Sequence, residues 1–199
     1  MNPIIDYYFT VSSPWAYLGH ARLREIAKCY DASLRYKPVN ILELFSRTGG
    51  ILLKDRSKER QYYRLLELNR WSAHLKINLK IHPKFLHTSD HLENKIVIAL
   101  TKMKIDPGPL VMDFSRAIWM EDKNISDRKT LQTLINKQGI DGESLIASAE
   151  NETTAAFISY TEEAIDRGVF GLPSYLTKWD IFWGQDRLDF LDLSLTERT

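Results

Sequence analysis

Strand-forming residues sit at the two ends of this chain, and about a hundred residues of helical period lie between them. Ile4 to Phe9 (IIDYYF) is short, β-branched and aromatic. Pro14 to Tyr30 (PWAYLGHARLREIAKCY) carries apolar residues at helical spacing, and Ser33 to Val39 (SLRYKPV) alternates again. A strand, a helix and a strand with short joints form a βαβ unit, which favours a parallel pair and a right-handed crossover. From Ile41 the period changes: ILELFSRT, SKERQYYRLLELNRWSAHL, SDHLENKIVIALTKM, PLVMDFSRAIWME, SDRKTLQTLINKQG and DGESLIASAE all read as helices. Ser126-Asp127 and Asp141-x-Glu143 supply helix starts, and Gly139 supplies a stop. After the helix TTAAFISYTEEAIDRG, the strands PSYLT and DIFWG and the helix QDRLDFLDLSL close the chain. Both flanks are needed to complete one sheet. The expectation is an α/β fold in which residues 1–40 and 151–199 form one unit and 41–150 form a helical insertion.

A chain of 199 residues with 44% hydrophobic content can bury its own core. With 27 basic and 26 acidic residues its formal net charge is +1, so no global field draws it to nucleic acid or to an anionic membrane. A small-molecule partner is expected. The N-terminus MNPIIDYYFTV has Asp6 where a secretory apolar run would continue, which points to the cytoplasm. The apolar run IVIAL is far shorter than a membrane span. A single cysteine, Cys29, leaves neither an intramolecular disulfide nor a Cys-x-x-Cys pair, so any thiol chemistry must use a borrowed thiol.

Three short motifs stand at element junctions. In FTVSSPWAYLGHARL, Ser13 precedes Pro14 at a helix start. Capping explains both residues, yet the same N-terminus also suits an anion such as a thiolate. In FGLPSY, Pro173 marks either a strand end or a cis Leu172–Pro173 bond. In WGQDRL, Asp186 in the first turn of a helix either caps it or holds an ammonium group. His82, His87 and His91 lack a convincing third ligand and read as surface histidines, with Pro83 marking a loop and Ser89 capping the helix that follows, so no metal is assigned. The basic run LLKDRSKERQYYR is a solvated helix face or a place for a substrate carboxylate.

Taken together, DYYFTVSSPWAYLG near the start and DRGVFGLPSYLTKWDIFWGQDRLDFLD near the end resemble the 2-hydroxychromene-2-carboxylate isomerases and kappa-class glutathione transferases of the DsbA-like thioredoxin superfamily. LELNRW with INLKIHP resembles the same family less specifically. The resemblance implies a thioredoxin-like domain built from both chain ends, with an all-helical domain inserted. It implies glutathione as the borrowed thiol and Ser13 at the position where DsbA-like oxidoreductases carry the nucleophilic cysteine. Leu172, before an expected cis Pro173, matches the residue whose backbone pairs with the cysteinyl unit, and Gln185 and Asp186 match the pair at the γ-glutamyl end. Gly50 stands where the family often has a ligand-touching Asn, and KFLHTSDHLENK departs from an Asn-containing stretch on the substrate side. The implied activity is glutathione-dependent isomerisation of an aromatic hydroxychromene-type carboxylate, with Lys58 and Arg60 as the basic residues for the carboxylate. A kappa-like transferase acting on electrophiles and a glutathione-binding protein without turnover are the alternatives. Disulfide exchange is set aside, because Ser13 and Ala16 occupy the places of the two cysteines it needs. Relatives in the family are homodimers, and the resemblance implies the same here.

Overall fold

The structure is a computed structural model that describes residues 2–86 and 91–197. Its sheet takes strands from both ends of the chain. Strand β1 (Ile4–Phe9) lies beside β2 (Ser33–Pro38) in parallel, with Ile4 opposite Ser33 and Phe9 opposite Pro38. On its other side it pairs antiparallel with β3 (Ser174–Leu176), Tyr8 opposite Ser174, and β3 pairs antiparallel with β4 (Ile181–Trp183). The spatial order is β2-β1-β3-β4. The expected parallel βαβ pair and the returning C-terminal strands are therefore one mixed sheet.

Helix α1 (Pro14–Cys29) connects β1 to β2. Between β2 and β3 run α2 (Ile41–Thr48), α3 (Lys58–Leu75), α4 (Leu92–Lys102), α5 (Gly108–Trp119), α6 (Arg128–Lys137), α7 (Gly142–Glu152) and α8 (Thr154–Asp166), and α9 (Leu188–Thr196) closes the chain. The capping residues explain most of these starts: Asn40 accepts from Leu42 N–H at 3.0 Å, Ser57 from Arg60 N–H at 3.4 Å, and Asp127 and Asp141 cap α6 and α7 in the same way. Gly139 has φ +76°, the left-handed residue expected to stop a helix. Two ends differ from the periodicity. Helix α4 begins only at Leu92, with His91 at φ 55°, and the segment read as QDRLDFLDLSL opens with a 3-10 turn, Gln185–Arg187, before α9. Ser89, expected to cap α4, lies outside the described residues.

Strand β1 is buried on both faces. Ile5, Tyr7 and Phe9 point into the main core with Leu23, Ile96, Phe114, Trp119 and Leu145, so one apolar core runs from the sheet into the middle helices. Tyr8 points the other way, into a smaller cluster with Val39, Leu44, Ala164 and Leu176. Between these, the buried Asp6 carboxylate is held by Arg35 at 3.0 Å and Lys37 at 3.2 Å, with Arg167 on its second oxygen. Such a charge is tolerated in the interior only because it is paired on both oxygens.

Gly19 sets how α1 sits on the C-terminal segment. A Cβ there would lie 2.8 Å from Gln185 Cβ and 3.0 Å from Tyr175 Oη. The missing side chain lets the Gly184–Leu188 turn press directly on α1.

Candidate active site at the edge of the sheet

The strand directions bring the three sequence motifs together. Strand β1 ends at Phe9 where antiparallel β3 begins, so Leu172 and Pro173 flank the Thr10–Ser13 turn. Strand β4 ends at the same edge, and Gly184 N–H donates to Pro173 C=O at 2.9 Å, which fixes the start of the Gln185–Arg187 turn there. The Leu172–Pro173 bond is cis. Strand β2 also ends at this edge, where Asn40 starts α2. Ligands in α/β sheets are commonly bound beyond the carboxyl ends of strands.

Ser13 is the N-cap of α1, with φ −77° and ψ 124°, and its Oγ accepts from Ala16 N–H at 3.3 Å. Pro14 has no N–H to leave unpaired, as expected of the first helical position. A hydroxyl carries one donor besides its acceptor pairs, so a Ser13 that caps by accepting still has its O–H to donate. The capping role and the thiolate role therefore use different parts of one group. Ser12 is tied instead to Thr10, Oγ to Oγ1 at 3.3 Å.

The turn before Ser13 is held from the helical middle of the chain. Asn94 of α4 accepts from Val11 N–H at 3.0 Å and donates to Thr10 Oγ1 at 3.2 Å and to Glu93 Oε1 at 2.9 Å. Ser115 of α5 donates to Val11 C=O at 3.2 Å. Asn94 and Ser115 are fully buried, and sequence reasoning missed both. Their signal was a polar side chain set inside the apolar runs LENKIVIAL and VMDFSRAIW.

The remaining site residues differ in what they offer. Leu172 is buried, and its backbone N–H and C=O have no partner among the described residues. Gln185 is 2% exposed; its amide atoms are unpaired among the described residues and shielded from solvent, while its carbonyl accepts from Arg22 at 3.1 Å. The Asp186 carboxylate is partly exposed and paired with Arg187 at 3.1 Å. Neither the 3-10 turn nor α9 has a side-chain cap, so Asp186 does not act as one. Phe170 and Trp183, both about half exposed, meet edge to face at 4.8 Å beside this turn. Behind α1, the phenol of Tyr175 is raised far above its ordinary range by burial and stays protonated.

Gly50 has a steric cause. A Cβ at that position would fall 2.3 Å from the Phe45 ring, so the ring fills the space that a larger residue would take. Lys58 and Arg60 lie in the first turn of α3, both exposed and without an ion pair among the described residues. His91 precedes α4 and meets the Phe157 ring at 5.5 Å; His82 is exposed, and His87 lies outside the described residues. Among the described residues, no three His, Cys, Asp or Glu side chains are grouped to hold a metal. Cys29 is exposed in the last turn of α1, the opposite end from Ser13. No helix among the described residues is long and apolar enough to cross a membrane.

The model of the DSBA-like thioredoxin domain matches residues 4–196. The chain belongs to that family. It is 26% identical over 199 residues to the 2-hydroxychromene-2-carboxylate isomerase of Sphingobium xenophagum, with 99% of this chain and 100% of the relative covered. It is 24% identical over 220 residues to human glutathione S-transferase kappa 1, covering 100% of this chain and 94% of the relative. A solved structure of 2-hydroxychromene-2-carboxylate isomerase superposes with a TM-score of 0.79 at 23% identity, covering 98% of this chain and 95% of that one. The DsbA-like thioredoxin fold expected from the motifs is the fold of this chain.

Proposed function

We propose that this protein is a glutathione-dependent isomerase of aromatic carboxylates of the 2-hydroxychromene-2-carboxylate type. The observation that carries the reading is the Ser13 hydroxyl at the N-terminus of α1: it caps the helix by accepting and keeps its proton to donate. The unpaired Leu172 backbone groups beside it suit a peptide-like ligand, because buried amide and carbonyl groups are normally satisfied. The full-length likeness to relatives named isomerase and glutathione transferase supports the same ligand.

When bound, glutathione supplies a thiolate that adds reversibly to the substrate and is returned unchanged. The chain's own residues make that thiolate available and hold it. Ser13 donates to the sulfur, and the N-terminus of α1, where the Trp15 N–H has no partner among the described residues, adds its dipole. A hydrogen bond to a charged group contributes about 1.5 to 3 kcal/mol and a helix N-terminus about 0.3 to 1. Against about 1.4 kcal/mol per pKa unit, these lower a thiol of ordinary pKa near 8.5 by about one to three units, which makes thiolate a major species near neutrality. Leu172 pairs with the middle of the tripeptide across Pro173, and Asp186 faces its ammonium end. Gln185 supports that end by shaping the turn, since its amide is shielded from the groove. Lys58 and Arg60 attract the substrate carboxylate. The reading includes a cytoplasmic homodimer.

A kappa-like transferase is the second reading, favoured by the alignment with the human kappa enzyme over the whole chain. Stoichiometry separates the two. With hydroxychromene carboxylate, substoichiometric glutathione is expected to support many turnovers at constant free thiol. Steady loss of thiol with a neutral electrophile such as chloro-dinitrobenzene, and no turnover of the carboxylate, replaces the isomerase by the transferase.

A further inference from the structure

Among the described residues, the half-buried arginines are paired except near the start of α3, and the buried Lys37 is paired too. Lys37 meets Asp6 and Glu163, Arg24 meets Asp106, and Arg22 meets Asp189. Arg56 and Arg64 are partly buried too, yet neither forms an ion pair with any described residue. Arg64 lies one turn before Leu68 and in phase with Trp71 and Leu75, on the face of α3 that joins the main core against α1. Burial draws its guanidinium below the ordinary range, and neighbouring Arg56 adds to this; Arg56 is itself lowered by burial and by Arg60.

Arg56 is also held in place. Its Nε donates to Ile51 C=O at 2.9 Å, and its own C=O accepts from Gln61 Nε2 at 2.8 Å. This leaves the two terminal nitrogens of a fixed guanidinium without a partner among the described residues. Two like charges, partly removed from water and lacking a counter-charge, are unfavourable unless an anion joins them. The connection that carries Arg56 leaves the sheet at Asn40, the same edge that holds Ser13.

We infer that Arg64 and Arg56 form the anion site of the second substrate, a planar aromatic carboxylate, with the exposed Lys58 and Arg60 serving only to attract it. The guanidinium fork matches a carboxylate through two parallel N–H···O bonds, which lysine does not reproduce. This rests on the glutathione reading for the role of the anion, but the site itself is tested without it.

The probe is 2-hydroxycinnamate, titrated calorimetrically into the wild-type chain, Arg64→Gln, Arg56→Gln and Arg64→Lys, with the uncharged 2-hydroxycinnamamide as control. The acid is expected to bind the wild type and to bind either glutamine variant about tenfold or more weakly, as loss of a charge-assisted bond implies. Arg64→Lys falls between, and the amide binds all four alike. Arg64→Gln is expected to melt at or above the wild-type temperature, since an unpaired desolvated charge is removed; a marked fall would show that Arg64 has a structural partner and would overturn the proposal. Equal binding of the acid by wild type and both glutamine variants overturns it. So does an equal loss of glutathione affinity, which gives the arginines to the tripeptide's own carboxylate, and so does inorganic phosphate binding as tightly as the acid. If the acid binds as expected while glutathione does not bind at all, the anion site stands and the glutathione reading fails. If glutathione binds and the acid does not, the anion site fails alone.

Discussion

His20 shows how one buried residue ties stability to pH. It is 1% exposed, its Nε2 lies 3.0 Å from Gly108 C=O, and burial lowers its pKa to about 4 from the ordinary 6.5. With a carbonyl as partner, Nε2 is the protonated nitrogen of a neutral ring. Because the folded pKa lies below the unfolded one, the unfolded chain binds a proton first as the pH falls. Stability from this group is fully present above about 6.5 and is lost progressively down to about 4, a loss of roughly 3 kcal/mol. His20→Gln, which keeps a donor for Gly108, is expected to flatten the melting temperature over that window; an unchanged slope would remove His20 as its cause. Other residue-scale features were less legible in the sequence. Ser13 and Pro14 announce themselves because capping follows from local chemistry. Asn94, which holds the turn before Ser13 from 84 positions away, does not, because only the packing of α4 against that turn gives it a role.

At the scale of elements, most helices and all four strands were readable, since hydrophobic period and caps are local properties. Ends failed where tertiary contacts set them. The Gln185–Arg187 stretch has helical sequence but closes as a 3-10 turn, because Gly184 is bound to Pro173 and the turn is pressed on α1 at Gly19. This contact gives a prediction whose sign matters. In an exposed helix, Gly→Ala gains up to about 1 kcal/mol from propensity. Here the added methyl meets Gln185 Cβ at 2.8 Å, an atom that cannot rotate away, and overpacking costs about 1 to 3 kcal/mol. Gly19→Ala is therefore expected to lower stability in chemical denaturation and to weaken glutathione binding through the displaced Asp186. A more stable variant would mean that the turn does not bear on α1.

For the whole molecule, the segregation of strand-forming residues to the chain ends foretold the sheet, but not how far its core extends. Tyr7 and Phe9 of the sheet share one apolar cluster with Phe114, Leu131, Leu145 and Ile146. We propose that residues 1–40 with 151–199, and 41–150, are units of chain order that unfold together. Calorimetry is expected to show one cooperative transition, and two resolved transitions would contradict a shared core. The same coupling brings Asn94 and Ser115 of the middle helices to the Ser13 turn, so the candidate site belongs to both units. The account stands or falls on the state of the bound sulfur. Titrating the thiolate absorbance of glutathione on the wild-type protein and on Ser13→Ala tests this directly. The wild type should carry thiolate at neutral pH with a thiol pKa about one to three units below the free value near 8.5, and Ser13→Ala should return it most of the way. The same titration curve for both proteins would contradict the account.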